Sequence, residues 1–140
     1  MLGVGGTGGS AQAAIANLIA ETVQAGEGER HFYELAGWVL MPNHVHLLIL
    51  PKVPVPVIMR WLKASTARRA NQLLGRTGQP FWQDESFDHW VRNNTEFDHI
   101  VQYIQENPVA AGLVCSAELW PWSSAGWQVK PAVSLAPATK

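Results

Sequence analysis

The chain has 140 residues, 10 Lys and Arg against 11 Asp and Glu, and a formal net charge of −1, a length that suits one domain with a real core. Near-neutral charge excludes a global pull toward nucleic acid or acidic membranes, so a nucleic-acid binder of this composition needs a local basic patch. Cys115 is the single cysteine, which excludes a disulfide framework and a thiolate metal cluster. No apolar run reaches the length of a membrane span and no signal-peptide pattern opens the chain, so a cytoplasmic location with no membrane partner is expected.

Residues 1–10 carry Gly3, Gly5 and Gly8 at dinucleotide-fingerprint spacing. That fingerprint needs a strand ahead of it, and only Met1 and Leu2 precede Gly3, so the segment reads as a flexible glycine-rich leader. Ser10 is a candidate cap for a helix from about Ala11 to Gln24, striped by Ile15, Leu18, Ile19 and Val23, with a turn at 26–28. Strands follow over about 30–41 and 44–50, hinged at Pro42-Asn43. Pro51, Pro54 and Pro56 make 51–56 a connection. Ile58, Trp61, Leu62, Leu73 and Leu74 predict a second helix over 57–74, closed by Gly75.

A short strand is expected over 87–92, then a third helix capped by Asn94 or Thr95 with Glu96 and Asp98 near its positive end. Pro108 predicts that this helix stops at or before Asn107 and that a short final helix opens there. Trp120, Trp122 and Trp127 are expected to pack the C-terminal end back onto the body, with 129–140 a disordered tail and 11–128 the folded domain.

Chemistry concentrates at His44-Val45-His46, inside the apolar run 38–50. Two imidazoles one residue apart on a strand point to the same side, roughly 6–7 Å apart. That side is meant for packing, so two polar rings there must be satisfied, either by a shared divalent cation or by separate hydrogen bonds at a sheet rim. Tyr103 and Asn107 are four apart and share one helical face. If that face meets the histidine strand, the site holds two nitrogen ligands, an amide oxygen, open positions and a phenol nucleophile. Such a set suits Mg²⁺ or Mn²⁺ bound with a phosphate. The plainer reading makes Tyr103 a half-buried helix residue and Asn107 a cap.

The stretch 41–48, followed by 103–114, strongly resembles the single-tyrosine HUH transposases, IS200-like, and within them the REP-associated tyrosine transposase branch. Phe81-Trp82-Gln83-Asp84, Phe87-Asp88-His89 and Trp120-Pro121-Trp122-Ser123-Ser124 also look like that family, over about residues 12–127. The resemblance implies an α/β (α+β) fold, an antiparallel sheet with helices packed on it, ferredoxin-like. It implies His44 and His46 as the metal pair, Asn107 as a further ligand, and Tyr103 as nucleophile. The substrate would be single-stranded DNA beside a hairpin, cleaved to a 5′-phosphotyrosine and a free 3′-hydroxyl, then rejoined. Monomeric and homodimeric forms both fit, as does a non-catalytic hairpin-binding remnant or a phosphodiesterase that uses water.

Arg60, Lys63, Arg68, Arg69 and Arg76 cluster on and after the second helix and form the candidate DNA-phosphate patch, with Arg92 either touching phosphate or pairing with Glu96. A solvated helix face is the alternative. Trp82 and Trp90 read as core, with base stacking as the other possibility. The family's usual hydrophobic first strand has no counterpart in 1–10, and Ala110 and Ser86 stand where an arginine and an aromatic are common, so a weakened grip on DNA is expected.

Overall fold

The structure, a computed structural model, describes residues 9–82 and 89–127. Its elements are α1 (Gly9–Gly28), β1 (Tyr33–Met41), β2 (His44–Pro51), α2 (Val55–Leu74) and α3 (Asn94–Ala110), with a single 3-10 turn at Ala117–Leu119. β1 and β2 form an antiparallel hairpin across Pro42-Asn43, the α+β arrangement expected, and among the described residues the sheet has these two strands. The expected leader falls on residues 1–8, outside the described ones, and on Gly9 and Ser10, which already belong to α1. Ser10 therefore lies inside the helix rather than capping it. The expected tail falls outside the described residues.

Strand alternation sorts the core into two layers. Trp38 and Leu40 on β1, with Val45 and Leu47 on β2, pack against Ile15, Leu18, Ile19 and Val23 of α1 and Leu62 and Ala70 of α2. Val39, Met41 and Leu48 face the other way, against Ile104, Ile100 and Val101 of α3. A bulge between Leu35 and Gly37 shifts the register, so Leu35 joins the same layer as Trp38 and Leu40 although its parity is opposite to theirs. Gly37, on the far side of the bulge, has the tip of Ile104 near it.

The C-terminal segment closes the free side of β1. Leu40 N–H donates to Trp122 O at 2.8 Å, Ser124 N–H donates to Trp38 O at 2.8 Å, and Val39 and Ser123 form an isolated bridge. Indole N–H groups add two more ties, Trp120 to Leu40 O at 2.9 Å and Trp122 to Asn17 Oδ1 at 2.9 Å, while Trp127 meets Trp38 edge-on. The three tryptophans thus pack the end back as expected.

Three local readings need correction. α1 continues through Gly26 to Gly28 instead of turning there, because Gly26 lets the helix backbone lie directly against the Tyr33 ring. Residues 89–92 are not a strand, and 87–88 lie outside the described residues. α3 passes through Pro108 to Ala110. Proline forfeits one helical hydrogen bond, but Pro108 is fully buried and only the last turn follows it. Packing there outweighs the single bond to Ile104 O that position 108 cannot donate. The terminus closes with Leu113 N–H donating to Pro108 O at 2.9 Å and with Gly112 in the left-handed region at φ 76°.

Candidate functional site

β2 begins immediately after the Pro42-Asn43 turn, so its first residues are held at the closed end of the hairpin. His44 pairs with Met41 and His46 with Val39, and both partners lie on the α3 face. The two imidazoles consequently emerge side by side toward α3, with ring centroids 4.6 Å apart and planes at 84°. Tyr103 closes the group from the helix, its ring 5.7 Å from that of His46 at 78°. Ile104, the next residue, is buried and anchors the helix on the sheet, while the Tyr103 side remains 60% exposed. The nucleophile candidate is thus open to solvent and beside the histidines. Asn107 lies one turn further along α3 on the Tyr103 face and is half-buried.

Hydrogen bonding sets the tautomer of His44. His44 Nδ1 lies 2.7 Å from Asn43 Oδ1; an amide oxygen only accepts, so Nδ1 carries the hydrogen and Nε2 keeps its lone pair. His46 Nε2 is buried and has no hydrogen-bond partner. Burial holds both imidazoles below their ordinary pKa, and the charge of His44 lowers His46 further. Two neutral imidazoles with available nitrogens are the form that ligates a cation. Asn43 was not singled out from the sequence, although its place directly before His44 is the signal that could have found it.

No group of three or more His, Cys, Asp and Glu side chains that could hold a metal occurs among the described residues. A cation here would take its remaining ligands from neutral oxygens and from a bound anion. The unpartnered His46 nitrogen, the phenol beside it and the Asn107 amide on the same helical face as that phenol fit that donor set in kind.

Comparison with known proteins decides the lineage. The family described as "Transposase IS200 like" matches residues 12–107. The chain belongs to that family. It is 31% identical over 94 residues to the REP-associated tyrosine transposase of Escherichia coli (strain K12), an alignment covering 66% of this chain and 54% of that protein. The chain thus spans about half the length of this curated relative. Among solved structures it resembles a REP-associated tyrosine transposase bound to a REP hairpin, with a TM-score of 0.60 and 26% identity over 92% of this chain and 74% of the other. The IS200-like match contains His44, His46, Tyr103 and Asn107, the residues that β2 and α3 carry.

The basic residues of this IS200-like chain do not join the same site. α2 lies on the α1 side of the sheet, opposite α3, so Arg60, Lys63 and Arg68 sit across the sheet from the histidines. Arg69 lines an open groove between α1 and α2 with Glu21 and Gln72. Arg76 donates from Nη2 to Pro80 O at 3.1 Å and holds the loop after α2. Arg92 does not pair with Glu96 through its guanidinium in any described contact; its backbone N–H donates to Glu96 Oε1 at 2.6 Å. Glu96 also binds His89 Nε2 at 2.7 Å, and these two contacts hold its pKa below the usual carboxylate range, the Arg92 backbone bond most of all.

The tryptophans divide as well. Trp82 is half-buried against the α1–α2 core and donates from Nε1 to Thr66 Oγ1 at 2.7 Å, as a core residue should. Trp90 is 72% exposed, which corrects the core reading for that position. It precedes the helix, and neither apolar layer of the described residues includes it. The helix cap is Asn93, whose Oδ1 accepts from Glu96 N–H at 2.9 Å, not Asn94 or Thr95.

Proposed function

We propose that this chain is a DNA-strand transferase of the IS200-like type, cleaving and rejoining single-stranded DNA beside a hairpin through Tyr103. The observation that carries the reading is the buried, unpartnered His46 nitrogen beside an exposed tyrosine, on a chain of this family. His44, His46 and Asn107 would hold one divalent cation, Mg²⁺ or Mn²⁺. When bound, it would supply Lewis-acid polarisation of a phosphodiester oxygen.

The chain's own residues account for the rest. Tyr103 presents its phenol oxygen from a helix whose next residue is locked in the core, so its position relative to the histidine strand is fixed. Attack of that oxygen on phosphorus forms the Tyr–O–P bond, breaks the bond to the 3′-oxygen and releases a 3′-hydroxyl as the phenol loses its proton. A second 3′-hydroxyl attacking the 5′-phosphotyrosine reverses the exchange and returns the phenol. Each step makes one phosphate ester for each one broken, so no nucleotide triphosphate is needed. Asn43 orients His44, and burial keeps both imidazoles unprotonated near neutrality.

The partner would be hairpin DNA, the ligand of the solved relative. Arg60, Lys63 and Arg68 on the opposite face of the sheet would then meet a separate part of the DNA from the phosphate at Tyr103, with Arg69, Arg76 and Arg92 contributing at the margins. The protein would act in the cytoplasm, as a monomer or a homodimer. No described helix is long and apolar enough to cross a membrane.

Incubation with end-labelled hairpin DNA and Mn²⁺ tests the reading. A denaturant-resistant protein–DNA adduct is expected from the natural chain and none from Tyr103→Phe. Salt-sensitive binding without any adduct would identify a hairpin binder that has no cleavage activity. Free 5′-phosphate ends without a protein-linked product would assign the attack to water.

A further inference from the structure

We propose that Trp90 is a stacking platform for an unpaired base of the DNA strand that reaches Tyr103, an assignment that rests on the DNA reading above. The chain has seven tryptophans, and the structure gives six of them packing partners. Trp38 is buried. Trp82, Trp120 and Trp122 each donate an indole N–H to a defined oxygen. Trp61 meets Phe32 edge-on and Trp127 meets Trp38. Trp90 differs from them all, and at 72% it is the most exposed large hydrophobic side chain among the described residues.

The backbone that presents it is tied down. One carboxylate, Glu96, accepts from Arg92 N–H at 2.6 Å and lies 2.7 Å from His89 Nε2, so it grips both ends of the segment carrying Trp90. Asn93 in turn accepts from Glu96 N–H at 2.9 Å, locking that glutamate to the first turn of α3. An indole held out from a clamped elbow loses little backbone freedom when something stacks on it, which is what preorganised recognition requires.

The surroundings select the ligand. Glu96 and Asp98 sit in the first turns of the helix, with Arg92 as the nearby cation and His89 on the carboxylate. Such a mixed, partly acidic rim is a poor phosphate site and leaves the flat apolar face of the ring as the recognition element. A base in a duplex has both faces covered by its neighbours, whereas an unpaired base offers one, so the platform favours single strand. Tyr103 is carried by α3 and Trp90 by the segment 89–92 that Glu96 ties to the start of that helix, with about 14 Å of helix between Asn94 and Tyr103. A strand engaged at the tyrosine and running toward the helix N-terminus would pass the indole.

Equilibrium binding of the full chain to two probes tests this: a DNA hairpin with an unpaired flank, and the same hairpin without it. Trp90→Ala should weaken binding to the flanked hairpin about tenfold and leave the blunt one within about twofold, while Trp90→Phe retains most of the affinity. Because the side chain is exposed, the thermal midpoint should be unchanged, which separates a binding effect from misfolding. Unaltered affinity for the flanked probe, or equal loss on both probes, would overturn the assignment. A natural chain that binds neither hairpin would overturn the DNA reading itself.

Discussion

Gly26 controls how α1 meets β1, and replacing it with alanine should destabilise the chain despite improving the helix. Tyr33 is fully buried, and its hydroxyl donates to Val23 O at 2.6 Å; burial pushes that hydroxyl well above the usual tyrosine range, with the charge of Glu27 adding to it. A Cβ at position 26 would overlap the Tyr33 hydroxyl and ring, and would lie 2.6 Å from ring carbon Cε2. The ring cannot retreat without breaking its bond to Val23. Alanine gains about 0.5–1 kcal/mol over glycine inside a helix, whereas forcing a methyl into a filled core costs about 1–3 kcal/mol. Overpacking wins, for a net loss of about 1–2 kcal/mol and a fall in Tm of roughly 3–6 °C. In a Tyr33→Leu background the obstructing hydroxyl and ring edge are gone, and the same Gly26→Ala change should stabilise by up to about 1 kcal/mol. Thermal unfolding of the four proteins of this cycle, followed by far-ultraviolet circular dichroism, measures the coupling. A Gly26→Ala protein that melts at or above the parent temperature would refute the reasoning.

Three further outcomes are expected. Burial holds His44 and His46 below the ordinary imidazole pKa, so on acidification the unfolded chain takes up protons before the folded one. Metal-free stability is then full above a pH of about 6.5 and declines as the pH falls below it. Mn²⁺ competes with those same protons, and its affinity by titration calorimetry should be flat above neutrality and drop steeply in acid; a pH-independent affinity would exclude imidazole ligation. Asn93→Ala removes the acceptor for Glu96 N–H and should cost about 1 kcal/mol in urea unfolding. An unchanged midpoint would mean that the Glu96 carboxylate alone secures the start of α3.

The grouping of His44 with His46 was legible in the sequence because its determinants are local. Alternation along β2 puts His44 and His46 on one side whatever the rest of the chain does, and helical spacing does the same for Tyr103 and Asn107. All three helices also followed from apolar periodicity, with errors at their ends. At Pro108 and Gly26 a backbone rule was overridden by burial and by a close tertiary approach, neither of which a local window contains. That Arg60, Lys63 and Arg68 lie across the sheet from the histidines was not legible, for a larger reason. Which face of a sheet a helix covers is a property of topology, and nothing in the helix's own residues reports it. Trp90 was misread similarly, since an indole next to an aromatic cluster looks like core until the layers are known.

The bulge between Leu35 and Gly37 has a consequence for how this sequence can change over time. It breaks the phase of the hairpin, leaving five residue pairs, from Gly37–Leu48 to Met41–His44, between itself and the turn. A residue gained or lost on the Tyr33 side can be absorbed at the irregularity, where the ladder is already interrupted. The same event inside the five pairs would rotate His44 and His46 into the α1–α2 core and turn Val45 and Leu47 toward Tyr103. Length variation among descendants of this chain should therefore be found upstream of Ala36 and be absent between Gly37 and Leu48, a boundary drawn by strand parity.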